Sequence, residues 1–423
     1  MSARPSFFYG WIVAACACAV MLLAYGAQYS FGVFFSAMLQ ELGWSRASLA
    51  GAFSLYSLVY IGLSSYSGRL TDRLGPRWVI ALGGCFLGGG MILVGLMRVP
   101  WQFYLAYGLI AGIGMSAAYV PCYVTVVKWF VRRRGLAAGI VGSGASLGIA
   151  GFPPLSEALI ARFGWRTTYL VFGIAVFVLL NILARFMVRD PEVLGLRPDG
   201  DVHPRKKSAA IAPPVETSWT LQEAVRTGRF WLLASVMMLS LITIPSAYVH
   251  LPQYAQDLQL HVPRSTFIML VGLFALLGNL LLGRFSDFLG RRGALLCSVI
   301  IGAAAFGGFT IARGAPALYV ASAGFGFYYG TFASLFPAVV GDYFGRLHAG
   351  SLTGFCFSMG SLASAVGPTA MGWVADHTGH YFLAFLGGTA INTLVIFLFM
   401  FTKPPHRPAR APLASVPPAS SSG

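Results

Sequence analysis

The sequence predicts an all-α, polytopic membrane protein whose twelve transmembrane helices form two pseudo-symmetric six-helix bundles. Three observations carry that expectation. Only 10% of the residues are charged and 57% are hydrophobic, whereas soluble domains carry about 25% charged residues. The apolar residues gather into runs of the length a bilayer requires. The second half of the chain repeats the pattern of the first at a fixed spacing.

A mean hydropathy of +0.72 leaves more apolar surface than a water-soluble core could hide. The 51 glycines suit helices that pack closely in lipid. The net charge of +16 invites a nucleic-acid reading. The placement of the charges excludes it, because the basic residues sit in short loops between apolar runs. There they set topology and meet the anionic inner leaflet. Cys16, Cys18, Cys85, Cys122, Cys297 and Cys356 all fall inside apolar stretches with no Cys-x-x-Cys pair. Neither a metal site nor a disulfide framework is indicated.

A spanning helix needs about 20 apolar residues. In the first half the runs lie near 8–38, 47–66, 77–97, 101–127, 136–160 and 167–188. In the second half they lie near 229–254, 264–283, 293–312, 315–340, 351–373 and 381–402. Arg4 precedes an apolar run too long for the core of a cleavable signal, so that run is expected to be the first span. The expected division is a first bundle over 1–188, a cytoplasmic linker over 189–228, a second bundle over 229–402 and a disordered tail over 403–423. The linker carries Arg205, Lys206 and Lys207, and Ser218 is placed to cap a short surface helix with Leu221 and Val225 on one face. With the N-terminus inside, the inner segments hold 23 Lys and Arg and the outer loops six: Arg46, Arg98, Arg162, Arg166, Arg264 and Arg313. The positive-inside rule therefore predicts cytoplasmic N- and C-termini in the plasma (inner) membrane.

The repeat is explicit. Gly68-Arg69-Leu70-Thr71-Asp72-Arg73-Leu74-Gly75-Pro76-Arg77 and Gly283-Arg284-Phe285-Ser286-Asp287-Phe288-Leu289-Gly290-Arg291-Arg292 both read G-R-x-[S/T]-D-x-L-G-x-R, 215 residues apart. The same spacing links Gly135 to Gly350, Gly139 to Gly354, Pro153 to Pro368 and Gly164 to Gly379. Six spans per half bring both halves into the membrane in the same sense, so the repeat is parallel.

These two segments resemble the signature loop of the major facilitator superfamily, and they stand where that family places them, between spans 2 and 3 and between spans 8 and 9. The resemblance covers residues 8–402. Further phrases are similar to the monocarboxylate and oxalate–formate transporter branch. They are Tyr29-Ser30-Phe31-Gly32-Val33-Phe34-Phe35, Gly43-Trp44-Ser45-Arg46, Trp101-Gln102-Phe103-Tyr104, Phe163-Gly164-Trp165-Arg166, and the run from Asp190 to Gly200. The resemblance implies a gating role for Arg69, Asp72, Arg73, Arg284 and Asp287, whose charges would pair across the seam or cap neighbouring helices. The competing reading is a solvated turn obeying the positive-inside rule. For the Lys128 to Arg134 loop that plainer reading is preferred.

Polar groups inside apolar helices mark where a substrate could sit, because burying them in lipid is costly. Tyr25, Gln28 and Tyr29 share one face of the first span. Tyr119 stands beside Pro121, Asn279 lies in the inner half of the eighth span, and His250 lies near the outer end of the seventh. His250 is equally compatible with facing the outer aqueous mouth. Tyr328, Phe332 and Phe336 make a stripe on the tenth span; Phe357, Ser361 and Ser364 make another on the eleventh. Helix packing competes for every aromatic among them. The resembling branch places an Arg four residues before the second signature glycine, where it pairs with substrate carboxylate. Here that position is Asn279. A dicarboxylate would find no fixed buried charge, while a monocarboxylate or a neutral solute is allowed.

For proton coupling the sequence offers His250, Glu157 and Asp257 and no acid in the middle of a span. The glycine series Gly139, Gly142, Gly144, Gly148 and Gly151 before Pro153-Pro154 reads either as close packing or as an exchanger motif. Motifs for a metalloprotease, a serine hydrolase or a nucleotide-binding loop do not occur. The expected function is proton-coupled transport of a small, lactate- or pyruvate-like monocarboxylate by alternating access, by a monomer without a cofactor. The alternative is an organic-anion or drug exchanger of the same superfamily.

Overall fold

The computed structural model describes residues 8–130, 133–200, 219–345 and 349–404. Side chains at 65, 134, 135, 200, 282–285, 287, 288 and 349 lie outside that description. The linker residues 201–218, with Ser218, and the tail 405–423 fall outside it too.

The first four spans are α1 (Gly10–Leu42), α2 (Arg46–Leu74), α3 (Pro76–Leu96) and α4 (Pro100–Trp129). A continuous helical stretch, Arg134–Ala184, is folded at Gly164 into α5 (134–163) and α6 (165–184). The second half begins with α7 (Gly228–Asp257). Ser265–Ile311 is folded at Gly290 into α8 (265–289) and α9 (291–311). The chain closes with α10 (Ala315–Phe344), α11 (Ala349–Thr378) and α12 (Phe382–Phe401). Helices dominate because a backbone in hydrocarbon must satisfy its polar groups within its own segment.

The repeat extends to backbone geometry. The four tight turns sit on Gly75 (φ 84°), Gly290 (φ 70°), Gly164 (φ 76°) and Gly379 (φ 74°). The members of each pair, Gly75 with Gly290 and Gly164 with Gly379, are again 215 residues apart. Only glycine enters these left-handed conformations without a Cβ clash. The signature segments are therefore not loops, as the sequence reading expects. α2 remains helical to Leu74 and α8 to 289, and the turn is a single glycine. Nothing between Gly68 and Leu74 interrupts a helix, so the helix runs until the first residue that can reverse the chain.

A second correction concerns the linker helix. Its N-cap is Thr220, whose hydroxyl accepts from the backbone N–H of Glu223 while Glu223 returns to the N–H of Thr220 at 2.9 Å. The helix spans one turn, Leu221–Ala224, too short to present a lipid-facing surface. The capping box outcompetes an earlier start because it satisfies two orphan donors at once.

Each half is a bundle. α1 packs on α5 and α3 on α6 in the first; α8 packs on α10 and α9 on α12 in the second. α3, α6, α9 and α12 lie outermost and expose Phe86, Leu93, Ile174, Phe177, Ile300 and Phe397. Those are lipid-facing apolar surfaces. Between the bundles runs a seam, where α2 lies along α11, α5 along α8 and the later part of α1 against α7. One end of the molecule, here the basic end, carries Arg73, Arg77, Lys128, Arg291, Arg292 and Lys403. The opposite, far end carries the α1–α2, α7–α8 and α11–α12 connections.

Close approach explains part of the glycine series. A methyl at Gly144 or Gly148 would collide with the backbone carbonyls of Cys18 and Leu22 on α1. Gly326 and Gly330 on α10 meet the carbonyls of Val271 and Ala275 on α8 in the same way. Gly139 and Gly151 face open space. Lipid supplies no hydrophobic force between helices, so van der Waals contact at such sites carries the association. Gly148→Leu is therefore expected to destabilise the bundle by at least ~1–3 kcal/mol, read as a lowered melting temperature in detergent, whereas Gly151→Ala leaves it unchanged.

Candidate functional site

The seam is closed at the far end by a dense set of polar contacts. Asp376 of α11 accepts from the backbone N–H groups of Arg46 (3.2 Å) and Ala47 (2.9 Å) at the start of α2. The Arg46 guanidinium pairs with Asp257 of α7 at 2.8 Å and lies 4.9 Å over the ring of Tyr381. Glu157 of α5 accepts from the N–H groups of Arg264 (2.9 Å) and Ser265 (2.8 Å) and from the Ser265 hydroxyl (2.5 Å) at the start of α8. Ser54 of α2 and Thr369 of α11 share a hydrogen bond of 2.8 Å.

His250 lies beneath this layer. It is fully buried, so it does not face the outer mouth. Its Nε2 is 2.8 Å from the carbonyl of Pro368, which can only accept, so Nε2 carries the proton. Nδ1 then accepts from the Tyr381 hydroxyl at 3.0 Å. Phe35 of the first bundle meets the imidazole edge-on at 5.2 Å between centroids. The histidine thus has both nitrogens occupied, inside a plug made by α1, α7, α11 and Tyr381.

At mid-depth the seam is lined by phenols. Tyr25, Gln28 and Tyr29 are all buried on one face of α1. The hydroxyls of Tyr29 and Tyr329 meet across the seam at 3.1 Å. Tyr248 of α7 packs 4.0 Å from the Tyr29 ring and 5.5 Å from that of Tyr329. Tyr60 of α2 contacts Tyr25 and Gln28. Gln28 keeps a buried Oε1, and Tyr248 a buried hydroxyl, without a hydrogen-bond partner. The rings of Tyr119 and Tyr123 pack at a tilt, 4.6 Å between centroids, where α4 is interrupted at Ala117–Ala118. Tyr119 lies among Tyr25, Tyr60 and Tyr329, yet 39% of its surface is open. The open face of Tyr119 lies at the edge of this phenol cluster, while the far end is bridged by the polar contacts above.

The other sequence candidates fall elsewhere. Asn279 is half-buried on α8, and its Oδ1 accepts from the Ser334 hydroxyl at 2.6 Å. Ser334 lies five residues beyond Tyr329 towards the basic end, about 7.5 Å along the helix. Tyr328, Phe332 and Phe336 are buried inside the second bundle, where Tyr328 sits against Gly302 of α9. They do not reach the seam. Ser361 is buried and its hydroxyl donates to the carbonyl of Ser358 on its own helix, and Phe357 is half-buried.

Among the gating candidates, Asp72 pairs with Lys128 at 3.5 Å, and Lys128 reaches Asp190 at 3.6 Å. Arg69 lies 5.8 Å over the Tyr66 ring, and Arg73 is exposed. Arg284 and Asp287 are helical, but their side chains lie outside the described residues. None of the ion pairs between described residues at this end, Arg291 with Asp342 at 2.7 Å among them, joins the two bundles.

Sequence reasoning passed over Tyr329, Tyr248 and Asp376. Tyr328 and Tyr329 present two helical phases about 100° apart. The aromatics at 332 and 336 favoured the phase that faces the bundle core. Asp376 carried no signal, since an acid at a helix end reads as a solvated terminus until its partner is known.

Comparisons with known proteins follow this geometry. The family model described as Major Facilitator Superfamily matches residues 17–278 and, in a second match, 260–422. Monocarboxylate transporter 12 of Rattus norvegicus is 25% identical over 405 residues, covering 90% of this chain and 83% of its own length. The oxalate:formate antiporter of Oxalobacter formigenes is 27% identical over 394 residues, covering 92% and 90%. A crystal structure of the nucleoside transporter NupG (D323A mutant) superposes with a TM-score of 0.71 at 14% identity, over 92% of this chain and 99% of that one. That likeness concerns the fold. The duplicated six-helix bundles, the paired turn glycines and the match over both halves place this chain in the Major Facilitator Superfamily, as a membrane transporter and not an enzyme.

Proposed function

We propose that this transporter carries a small monocarboxylate, lactate- or pyruvate-like, together with a proton, by alternating access. The observation that carries the proposal is the seam: bridged by polar contacts at the far end, with a cluster of phenols from both bundles at mid-depth. Phenolic hydroxyls and the Gln28 amide can donate to a carboxylate without any fixed charge. The similarity to monocarboxylate transporter 12 of Rattus norvegicus, at 25% identity, supports an organic acid as cargo.

On this reading Tyr119, Gln28 and Asn279 line the path, together with Tyr29 and Tyr329 at its closed end. Phe357 and Ser361 lie on the α11 side. The basic end is cytoplasmic, with both termini, in keeping with the positive-inside rule, and the membrane is the plasma (inner) membrane. The monomer rocks as two units over 1–188 and 229–402, joined by the linker 189–228, with 403–423 as a tail. Arg69, Asp72, Arg73, Arg284 and Asp287 close the cytoplasmic side when the outer side opens.

The proton has three candidate carriers. Glu157 and Asp257 are held in cross-seam contacts at the outer end in this conformation, and His250 is enclosed beside them. Glu157 and Asp257 are released when the outer gate opens, which is when a proton from outside would load, and His250, whose two hydrogen bonds stay within the second bundle, is uncovered as Phe35 withdraws. A second reading, anion exchange, is favoured by the similarity to an oxalate:formate antiporter. Against a dicarboxylate stands Asn279, which places an amide bonded to Ser334 where a cation is wanted.

Two experiments test the proposal. In proteoliposomes, labelled lactate or pyruvate uptake is expected to rise with an inward proton gradient. Uptake indifferent to pH, or present only when the vesicles are preloaded with a counter-anion, would select exchange. Tyr119→Phe and Asn279→Leu each remove one hydrogen-bonding group from the path. Each is expected to raise KM about five- to tenfold, and unchanged kinetics in both would remove these residues from the site.

A further inference from the structure

The far-end contacts show a symmetry that goes beyond the substrate question. Glu157 closes α5, the fifth helix of the first bundle, and caps the N-terminus of α8, the second helix of the other bundle. Asp376 stands near the end of α11, the fifth helix of the second bundle, and caps the N-terminus of α2, the second helix of the first. Each bundle therefore lends one carboxylate to the other's helix start. Such a terminus presents unpaired N–H groups and a partial positive charge, and a carboxylate placed there is held by charge-assisted hydrogen bonds.

The two acids do not obey the internal repeat. Glu157 lies 22 residues after Gly135, whereas Asp376 lies 26 residues after the matching Gly350. Their targets deviate in the same direction by nearly the same amount. The capped pair Arg264 and Ser265 lies 19 and 18 residues before Gly283, whereas Arg46 and Ala47 lie 22 and 21 before the matching Gly68. Four residues is about one helical turn, about 6 Å. On one side of the seam both the acid and its target stand one turn further out than on the other. Chance acids near helix ends would have no reason to move in step with the helices they cap. Two lengths that changed together mark a contact that the architecture keeps.

We infer that Glu157 and Asp376 are paired outer latches, one from each bundle, whose carboxylate-to-helix caps hold the carrier closed at the far end. The latches act on the conformational equilibrium, not on cargo, so they operate whichever acid is carried. Opening must break the five hydrogen bonds that the two acids accept, and it also parts Arg46 from Asp257. The latches bias the carrier towards the state that is open at the basic end.

The test is conformational and needs no substrate. Spin labels on Arg162→Cys and His261→Cys, exposed on opposite sides of the seam, report the far-end separation in a background with the native cysteines replaced. Glu157→Ala and Asp376→Ala are each expected to raise the ratio of long to short distances roughly tenfold, and together to make the long distance dominant. A register control guards against a general charge effect. Glu157→Ala combined with Ala161→Glu moves the acid one turn outward, away from α8, and is expected to resemble Glu157→Ala alone. Glu157→Gln, which keeps an acceptor and the side-chain volume, is expected to fall between wild type and alanine and covers the case in which the alanine variants fail to fold. Unchanged distances in Glu157→Gln and in the alanine variants, or full restoration by Ala161→Glu, would overturn the inference.

Discussion

The rest of the structure depends on the weakness of attraction between helices in lipid. Hydrocarbon tails are as apolar as leucine, so burying apolar surface between two helices gains little there. What holds the molecule is contact at close range and a small number of polar bonds. Within each bundle the close contacts dominate, with Gly144 and Gly148 against the carbonyls of α1 and Gly326 and Gly330 against those of α8. Across the seam the polar bonds matter more, and they concentrate at one end. A molecule so arranged has rigid halves and one breakable joint, which is what a carrier that exposes its site alternately requires.

Much of this was legible in the sequence, for a physical reason. Span length is set by bilayer thickness, so apolar run length reports helices directly. A turn that needs left-handed backbone needs glycine, so the 215-residue spacing of Gly75 with Gly290 and of Gly164 with Gly379 survives in the letters. The site was less legible. The face of α1 with Gln28 and Tyr29 follows from helical periodicity alone, because three polar groups in phase leave little choice. On α10 the aromatics at 332 and 336 drew the reading to the Tyr328 phase, and only packing against Gly302 shows that Tyr328 turns into the bundle core while Tyr329 faces the seam. Glu157 read as a lone acid near a helix end. Its role is set by a backbone 107 residues further along the chain, and no local pattern encodes that.

The chemistry at the seam is built from hydroxyls and amides where charge would be expected. Tyr25, Tyr29, Tyr60, Tyr248 and Tyr329 offer donors in a low-dielectric space, and the fixed cations stay at the membrane faces. Phenols bind a carboxylate more weakly than an arginine does, and they release it more readily. On the proposed function, a site without charge would favour release as well as binding, which suits turnover at high substrate concentration better than scavenging. Asn279 is likewise uncharged, and the hydrogen bond it accepts from the Ser334 hydroxyl orients its amide.

The central claim is that transport requires the far-end seam to open. Ser54 of α2 and Thr369 of α11 face each other across that seam with hydroxyls 2.8 Å apart. The most direct measurement is uptake by a Ser54→Cys/Thr369→Cys variant before and after oxidation, in a background without native cysteines. Uptake that stops when the disulfide forms and returns on reduction is the result predicted. Full uptake with the two bundles covalently joined at that point would contradict the account.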